Sequence, residues 1–232
     1  MRRVEEIDDL VKVEHAIISV SDKSGLDMFV PALIEINPEI VIFSTGGTYR
    51  RLQEILGEDS GNVQDVASYI GQPETEGGLV KTLDFRLFLG YLTETYSKSH
   101  QQDLERTTSV PIDLVVFNLY PFTATIAKLN IDFEDARMNI GVGGPSALRA
   151  AGKNWHRVAT IVDPNDYIKV IDELKGNSGC TTLNTRFDMH KKVFRHLAEY
   201  NTAIADYLER ISIEEARNAY PTIHNPANVE GA

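Results

Sequence analysis

His15–Gly25 reads HAIISVSDKSG, a short apolar run that leads directly into polar residues and a glycine. This run, with apolar residues at helical spacing over Leu26–Ile34, predicts a buried strand followed by a helix. Further apolar runs at Ile40–Phe43, Ile112–Phe117 and Val158–Val162 predict three more strands. Strands that alternate with helical segments indicate an α/β fold, in which a parallel sheet is covered by helices on both faces.

The composition is that of an acidic globular protein. The 232 residues carry a net charge of −11, and 42% of them are apolar. Such a surface repels nucleic acid and anionic membranes, so neither is an expected partner. Residues 1–14 are highly charged and resemble no signal peptide, and no segment reaches the roughly twenty apolar residues that span a bilayer. We therefore expect a cytoplasmic protein.

The two ends of the chain differ in pattern from the middle. Apolar residues at helical spacing over Val4–Val11 predict a short amphipathic helix within an N-terminal extension, residues 1–14. The segment Leu183–Ile211 has the pattern of one long helix or two. We expect one domain over residues 15–211, followed by a C-terminal tail, residues 212–232, that is loose from Pro221 onward.

Polar motifs follow the predicted strands directly, and in a parallel sheet such motifs meet at the carboxyl edge, where ligands bind. Ser44–Thr48 reads STGGT and lies between a strand and a helix. Its glycines allow close approach of an anion to a helix N-terminus, which makes it a candidate phosphate cradle. A tight strand–helix turn with Thr48 as N-cap fits the same residues. Lys23 is either a further phosphate ligand or a solvated lysine.

Two more glycine-rich loops carry candidate ligands. Gly77–Leu83 includes Lys81, and Gly141–Ser146 opens a predicted helix, which makes it a second candidate anion site. Lys153 falls near the end of that helix, where its charge would complement the negative end of the helix dipole.

Five motifs, in order SVSDKSG, STGGT, VKTL, IDLVVFNLYPF and GGPSALRAAGKN, together resemble the IMP cyclohydrolase domain of the bifunctional AICAR formyltransferase/IMP cyclohydrolase family of purine biosynthesis. The resemblance implies a methylglyoxal-synthase-like fold, with a three-layer, mostly parallel sheet, and a homodimer. It implies closure of formylated aminoimidazole carboxamide ribotide to IMP, with no metal or organic cofactor. The sequence ends at Ala232, so we expect a separate formyltransferase as a possible partner.

The same resemblance assigns roles to individual residues. The residues implied at the 5′-phosphate are Ser21, Lys23, Ser44, Thr45, Gly46, Gly47 and Thr48. Those implied around the base and the reacting groups are Thr82, Asn118, Gly143 and Gly144. The catalytic residues implied are Lys81, Tyr120 and Lys153.

Three positions depart from the family pattern. Leu79 replaces an arginine, Asp84-Phe85 replaces a His-Pro pair, and Gly141 replaces a catalytic aspartate. Glycine can neither accept a proton nor orient a lysine, and Asp84 would compensate only from a different loop. Two alternatives to an active cyclohydrolase therefore stay open: a diverged relative acting on another ribotide, and a non-catalytic purine-nucleotide-binding or regulatory module.

Overall fold

A five-stranded parallel sheet organises the computed structural model, which describes residues 3–73, 75 and 80–220. The strands are β1 (Leu10–Lys12), β2 (His15–Val20), β3 (Val41–Ser44), β4 (Val63–Asp65), β5 (Leu114–Asn118), β6 (Ala159–Ile161) and β7 (Cys180–Thr182). The main sheet has the order β4-β3-β2-β5-β6, and all its neighbouring pairs are parallel. The predicted α/β class is confirmed.

Helices follow most strands. They are α1 (Leu26–Ile36), α2 (Gly46–Leu56), α3 (Val66–Ile70), α4 (Phe85–Leu92), α5 (Lys98–Thr107), α6 (Phe122–Ile126), α7 (Phe133–Met138), α8 (Gly143–Lys153), α9 (Tyr167–Gly176), α10 (Leu183–Leu208) and α11 (Ile213–Asn218). The long helix predicted from Leu183 is thus a single element.

Successive side chains of the central strands point to opposite faces of the sheet, and this alternation explains the three layers. In β2, Ala16 and Ile18 point to one face of the sheet and Ile17 to the other, and all three are fully buried. The first face packs against α1, α2 and α9, whereas the second packs against α3, α4, α8 and the first part of α10. Because both faces need apolar cover, the strands lack polar alternation, as parallel strands usually do.

The chain forms two compact units. The first comprises the residues up to Leu119 together with Val142–Leu197, and it contains both sheets. The second comprises Tyr120–Gly141 and the residues from Ala198 onward. Inside the second unit, the ring of Phe122 contacts those of Tyr200 and Tyr207 edge to face, and Tyr220 donates a hydrogen bond to Glu134.

The predicted amphipathic helix over Val4–Val11 is wrong. Leu10–Lys12 instead forms β1, which pairs antiparallel with β7. The buried guanidinium of Arg186 donates to the carbonyl oxygens of Asp8 and Thr181, so it joins the two paired segments. Tertiary pairing therefore overrides the local helical spacing. The predicted tail also contains regular structure, since α11 lies within it; residues 221–232 are outside the described part of the chain.

No helix among residues 3–73, 75 and 80–220 combines the length and apolar character that crossing a bilayer requires.

A buried ion pair closes the amino edge of the main sheet. The carboxylate of Asp113 accepts hydrogen bonds from the backbone N–H groups of Glu14 and His15, at 3.0 and 2.9 Å, and from Arg157 Nη1 at 2.8 Å. The same guanidinium donates to three carbonyl oxygens, those of Gly90, Thr93 and Ile112. Burial raises the pKa of Asp113, and Arg157 and the two N–H donors oppose that rise.

Replacement of Arg157 should therefore cost far more stability than replacement of an exposed arginine. Arg157→Met leaves a buried carboxylate and three carbonyl groups without their donor, so we expect the free energy of unfolding to fall by about 3–5 kcal/mol in urea titrations. Arg51→Met removes an exposed pair with Glu54 and should cost less than about 1 kcal/mol. Equal losses in the two variants would refute the structural role of the pair.

Candidate functional site

The predicted polar motifs meet at one edge of the sheet. Strands β2, β3, β5 and β6 run parallel, so the residues that follow them leave the same edge. Ser21 follows β2, Thr45 follows β3, and Asn118 is the last residue of β5. Because β2 lies between β3 and β5, these three strand ends are neighbours. The predicted convergence of these strand ends is confirmed.

Three cations surround the first turn of α2. Thr45 is extended at the N-cap, and Gly46 has a φ of +50°, a conformation that favours glycine. A Cβ atom at Gly46 would lie 3.2 Å from Lys81 Nζ, and one at Gly47 would lie 3.9 Å from Lys23 Nζ and 4.0 Å from Arg50 Nη2. Cations from three segments thus lie beside a helix N-terminus, an arrangement suited to an anion such as phosphate.

Arg50 was missed by the sequence reasoning. It lies three residues after Gly47 on α2, and residues at this spacing share one face of a helix. This spacing from Gly47 is the feature of the sequence that could have identified Arg50.

The hydroxyl groups of the STGGT motif serve the scaffold. Ser44 is fully buried and donates to the carbonyl oxygen of Ile18 at 2.7 Å. Thr48 Oγ1 accepts from the N–H of Val20 and donates to its carbonyl oxygen, both at 3.1 Å. The two hydroxyls thus bind β2 to the start of α2, and the implied place of Ser44 and Thr48 at the phosphate stays a prediction. Thr45, rather than Thr48, is the N-cap.

Asn118 also acts on the backbone. Its side-chain oxygen accepts from the N–H groups of Ser21 and Asp22, at 2.7 and 2.8 Å, and its nitrogen donates to the carbonyl oxygen of Asp22 at 2.9 Å. The Asp22 carboxylate in turn accepts from the backbone N–H and hydroxyl of Ser24, which lowers the pKa of Asp22. Asn118 therefore positions the loop that carries Lys23, and the role implied for it at the base stays a prediction.

Gly143 and Gly144 allow close contacts at the start of α8. A Cβ atom at Gly143 would lie 2.6 Å from the hydroxyl oxygen of Thr82, and one at Gly144 would lie 2.9 Å from Leu119 Cδ2. Thr82 is itself buried. The structure thus brings Thr82, which follows Lys81 directly, against the N-terminus of a second helix.

A cavity of about 210 Å³ adjoins the turn that Gly46 begins. Its walls come from the end of β3, the residues around α3 and the segment before α4: Thr45, Gly46, Asp65, Ala67, Ile70, Gln72, Pro73, Thr75, Val80, Lys81, Leu83 and Asp84. Lys81 therefore borders both the anion site and the cavity. Leu79, where the family pattern has arginine, lies outside the described residues.

Two of the residues implied as catalytic are Lys153 and Tyr120. Lys153 lies apart from the residues around α2, and Tyr120 belongs to the second unit. Lys153 is the exposed last residue of α8, and Gly143 is the first, so about 15 Å of helix separates them. Its implied contact with the reacting amide stays a prediction; within the chain its charge complements the C-terminal end of α8. Tyr120 is 61% exposed and belongs to the second unit. Gly141 is in that unit too, where its N–H donates to the Tyr200 hydroxyl at 2.7 Å.

Within the described ranges, no three side chains of His, Cys, Asp or Glu lie together in a way that could hold a metal ion.

Comparison with known proteins gives the family. Residues 25–146 match the MGS-like domain, and residues 151–230 match the AICARFT/IMPCHase bienzyme. The chain therefore belongs to the family of MGS-like domains, and the resemblance drawn from its motifs is confirmed.

Two individual proteins illustrate the relationship. The bifunctional purine biosynthesis protein PurH of Chlorobaculum parvum is 42% identical over 212 residues, which are 91% of this chain and 39% of that protein. The chain thus spans about two fifths of the length of this curated relative. The crystal structure of ForH has a TM-score of 0.70 and 29% identity, over 83% of this chain and 97% of that one.

The geometry of the α2 turn predicts different effects for two glycine replacements at opposite ends of this helix, at Gly46 and at the C-cap Gly57. Gly46→Ala and Gly57→Ala both introduce a side chain at positive φ, so each should lower the free energy of unfolding by about 1–2 kcal/mol. Only the first also meets Lys81, since a Cβ atom at Gly57 has no neighbour within 4 Å. Calorimetry should show roughly tenfold weaker AMP binding for Gly46→Ala alone. Equal affinities in the two variants would contradict the anion site.

Proposed function

We propose that this chain is an IMP cyclohydrolase, which closes formylated aminoimidazole carboxamide ribotide to IMP in purine biosynthesis. The observation that carries the proposal is the group of Lys23, Arg50 and Lys81 at the N-terminus of α2, beside a cavity large enough for a ring. The match to the bifunctional purine protein over 91% of the chain supports the same activity.

The reaction joins two groups of one molecule. The carboxamide nitrogen attacks the formyl carbon, a C–N bond forms, and the formyl oxygen leaves as water with two protons from nitrogen. An enzyme assists such a step by holding the reacting atoms together and by stabilising the developing oxyanion. A phosphate held at one end of the ligand, with its ring fixed in a cavity, supplies the first of these.

Lys81 is the residue that we assign to the reacting groups. It borders the cavity, and its Nζ lies near Gly46, so it is within reach of both ends of a bound nucleotide. An ammonium group can stabilise the oxyanion that forms at the formyl carbon and can donate a proton to the leaving oxygen. Lys23 and Arg50 would bind the phosphate, and the backbone N–H groups of Gly46 and Gly47 would complete its site.

The proposed function also defines partners and setting. The substrate carries a formyl group, so a formyltransferase must supply it, and we propose such an enzyme as a partner. We further propose a homodimer, as the family resemblance implies, in the cytoplasm, where purine nucleotides are made.

Removal of the Lys81 ammonium should abolish turnover. With formylated aminoimidazole carboxamide ribotide as substrate, kcat/KM of Lys81→Ala, followed by the absorbance of IMP, should fall by at least about a hundredfold. Lys169→Ala, on the exposed side of α9, is the matched control and should retain activity. Nucleotide binding by the wild-type protein with no turnover at all would contradict the proposal and favour a non-catalytic binding module.

Introduction of a carboxylate at Gly141 should speed the reaction. The φ angle of Gly141 is not positive, so aspartate can adopt its backbone conformation. Because a positioned acid or base contributes about 10²–10⁴-fold, kcat of Gly141→Asp should rise by at least about tenfold in the same assay. Gly61→Asp, at an exposed turn, serves as the control for added negative charge. A working enzyme that is no faster with Gly141→Asp would show that this position does not limit the rate.

A further inference from the structure

Two carboxylates line the cavity beside the phosphate site. Asp65 and Asp84 come from different walls, the first at the end of β4 and the second directly before α4. Ionised carboxylates only accept hydrogen bonds. The cavity that Lys81 borders is thus also provided with acceptors, although the predicted ligand is an anion.

The carboxylate of Asp84 is held in a fixed orientation. One of its oxygens accepts from the N–H of Arg86 at 2.7 Å, as the N-cap of α4. The nearby cation is held elsewhere: the guanidinium of Arg86 donates to the carbonyl oxygens of Tyr69 and Thr108, and its Cζ lies 4.2 Å from the centre of the Tyr69 ring. Arg86 therefore leaves the Asp84 carboxylate available to the cavity.

Asp65 occupies a comparable position on the other wall. It is paired in register with Ser44, the residue that precedes the turn of Thr45 and Gly46. It is also the N-cap residue of α3, yet its side chain caps no N–H group of that helix. Its carboxylate is thus half-buried at the carboxyl edge of the sheet, next to the phosphate site.

We infer that Asp84, assisted by Asp65, determines specificity by accepting hydrogen bonds from exocyclic N–H groups on the ring of the bound nucleotide. The inference rests on the proposed function, whose substrate presents N–H donors on its carboxamide and formamide groups. IMP has lost those exocyclic donors: it keeps a single N–H, at N1 of the closed ring, beside the carbonyl oxygen that the open ligand also has, so it offers fewer hydrogen bonds to the two carboxylates. The two aspartates would thereby hold the ring-open ligand and favour release of the closed product.

Calorimetry with two ligands tests this role. The wild-type protein should bind aminoimidazole carboxamide ribotide at least about tenfold more tightly than IMP, since the open ribotide makes more hydrogen bonds to the two carboxylates. Asp84→Asn should reduce this ratio at least about fivefold, because the amide can also donate to the IMP carbonyl. Asparagine is as good an N-cap as aspartate, so α4 should be retained.

The control and a second variant make the result decisive. Asp132→Asn changes the capping aspartate of α7, which does not line the cavity, and should leave the ratio unchanged. Asp65→Asn should lower the ratio as Asp84→Asn does, and thermal melts would show that both variants fold. A wild-type protein that binds IMP as tightly as the open ribotide, or an unchanged ratio in both folded variants, would overturn the inference. Turnover is measured separately, so a chain without cyclohydrolase activity could still show this selectivity.

Discussion

The buried pair of Arg157 and Asp113 fixes the amino edge of the sheet, and the arrangement of the opposite edge depends on it. Asp113 binds the first backbone N–H of β2, while Arg157 binds the turn after α4. A buried ion pair of this kind is favourable only when its remaining donors and acceptors are satisfied, and here backbone groups satisfy nearly all of them. Strand register is therefore set at an edge that carries no candidate ligand, which leaves the carboxyl edge to the loops.

Hydrogen bonds between side chains and backbone atoms also stabilise the carboxyl edge, where they position the loops. Three side chains form hydrogen bonds with backbone atoms there: those of Ser44, Thr48 and Asn118. These bonds position the loop of Lys23 and the start of α2. The anion site thus consists of cations and backbone N–H groups that are held by polar side chains behind them. Hydroxyls that point into the sheet can therefore support an anion site indirectly, by holding the glycine turn in place.

The sequence predicted the features that depend on apolar runs and strand order. The strands around Ile17 and Val115, and the meeting of their ends, follow from burial on both faces. β4 was missed because it has three residues, of which only Val63 is apolar. The helix predicted at Val4–Val11 was wrong because Arg186 and β7, far away in sequence, hold that segment extended. The backbone contacts of Ser44 and Asn118 could not be predicted because a motif does not reveal where a side chain points.

The two ends of the candidate site differ in how well the sequence predicts them. The proposed phosphate end is formed by backbone conformation at Gly46 and by cations that tolerate small displacements, so it can be predicted from a glycine motif. The ring end depends on side chains such as Asp84, whose direction is set by the α4 N-cap and by the distant partners of Arg86. On the proposed function, substitutions at that end would change which ring is accepted while the sheet and the proposed phosphate site stay the same. Divergence in this fold should therefore alter ring recognition before it alters phosphate binding.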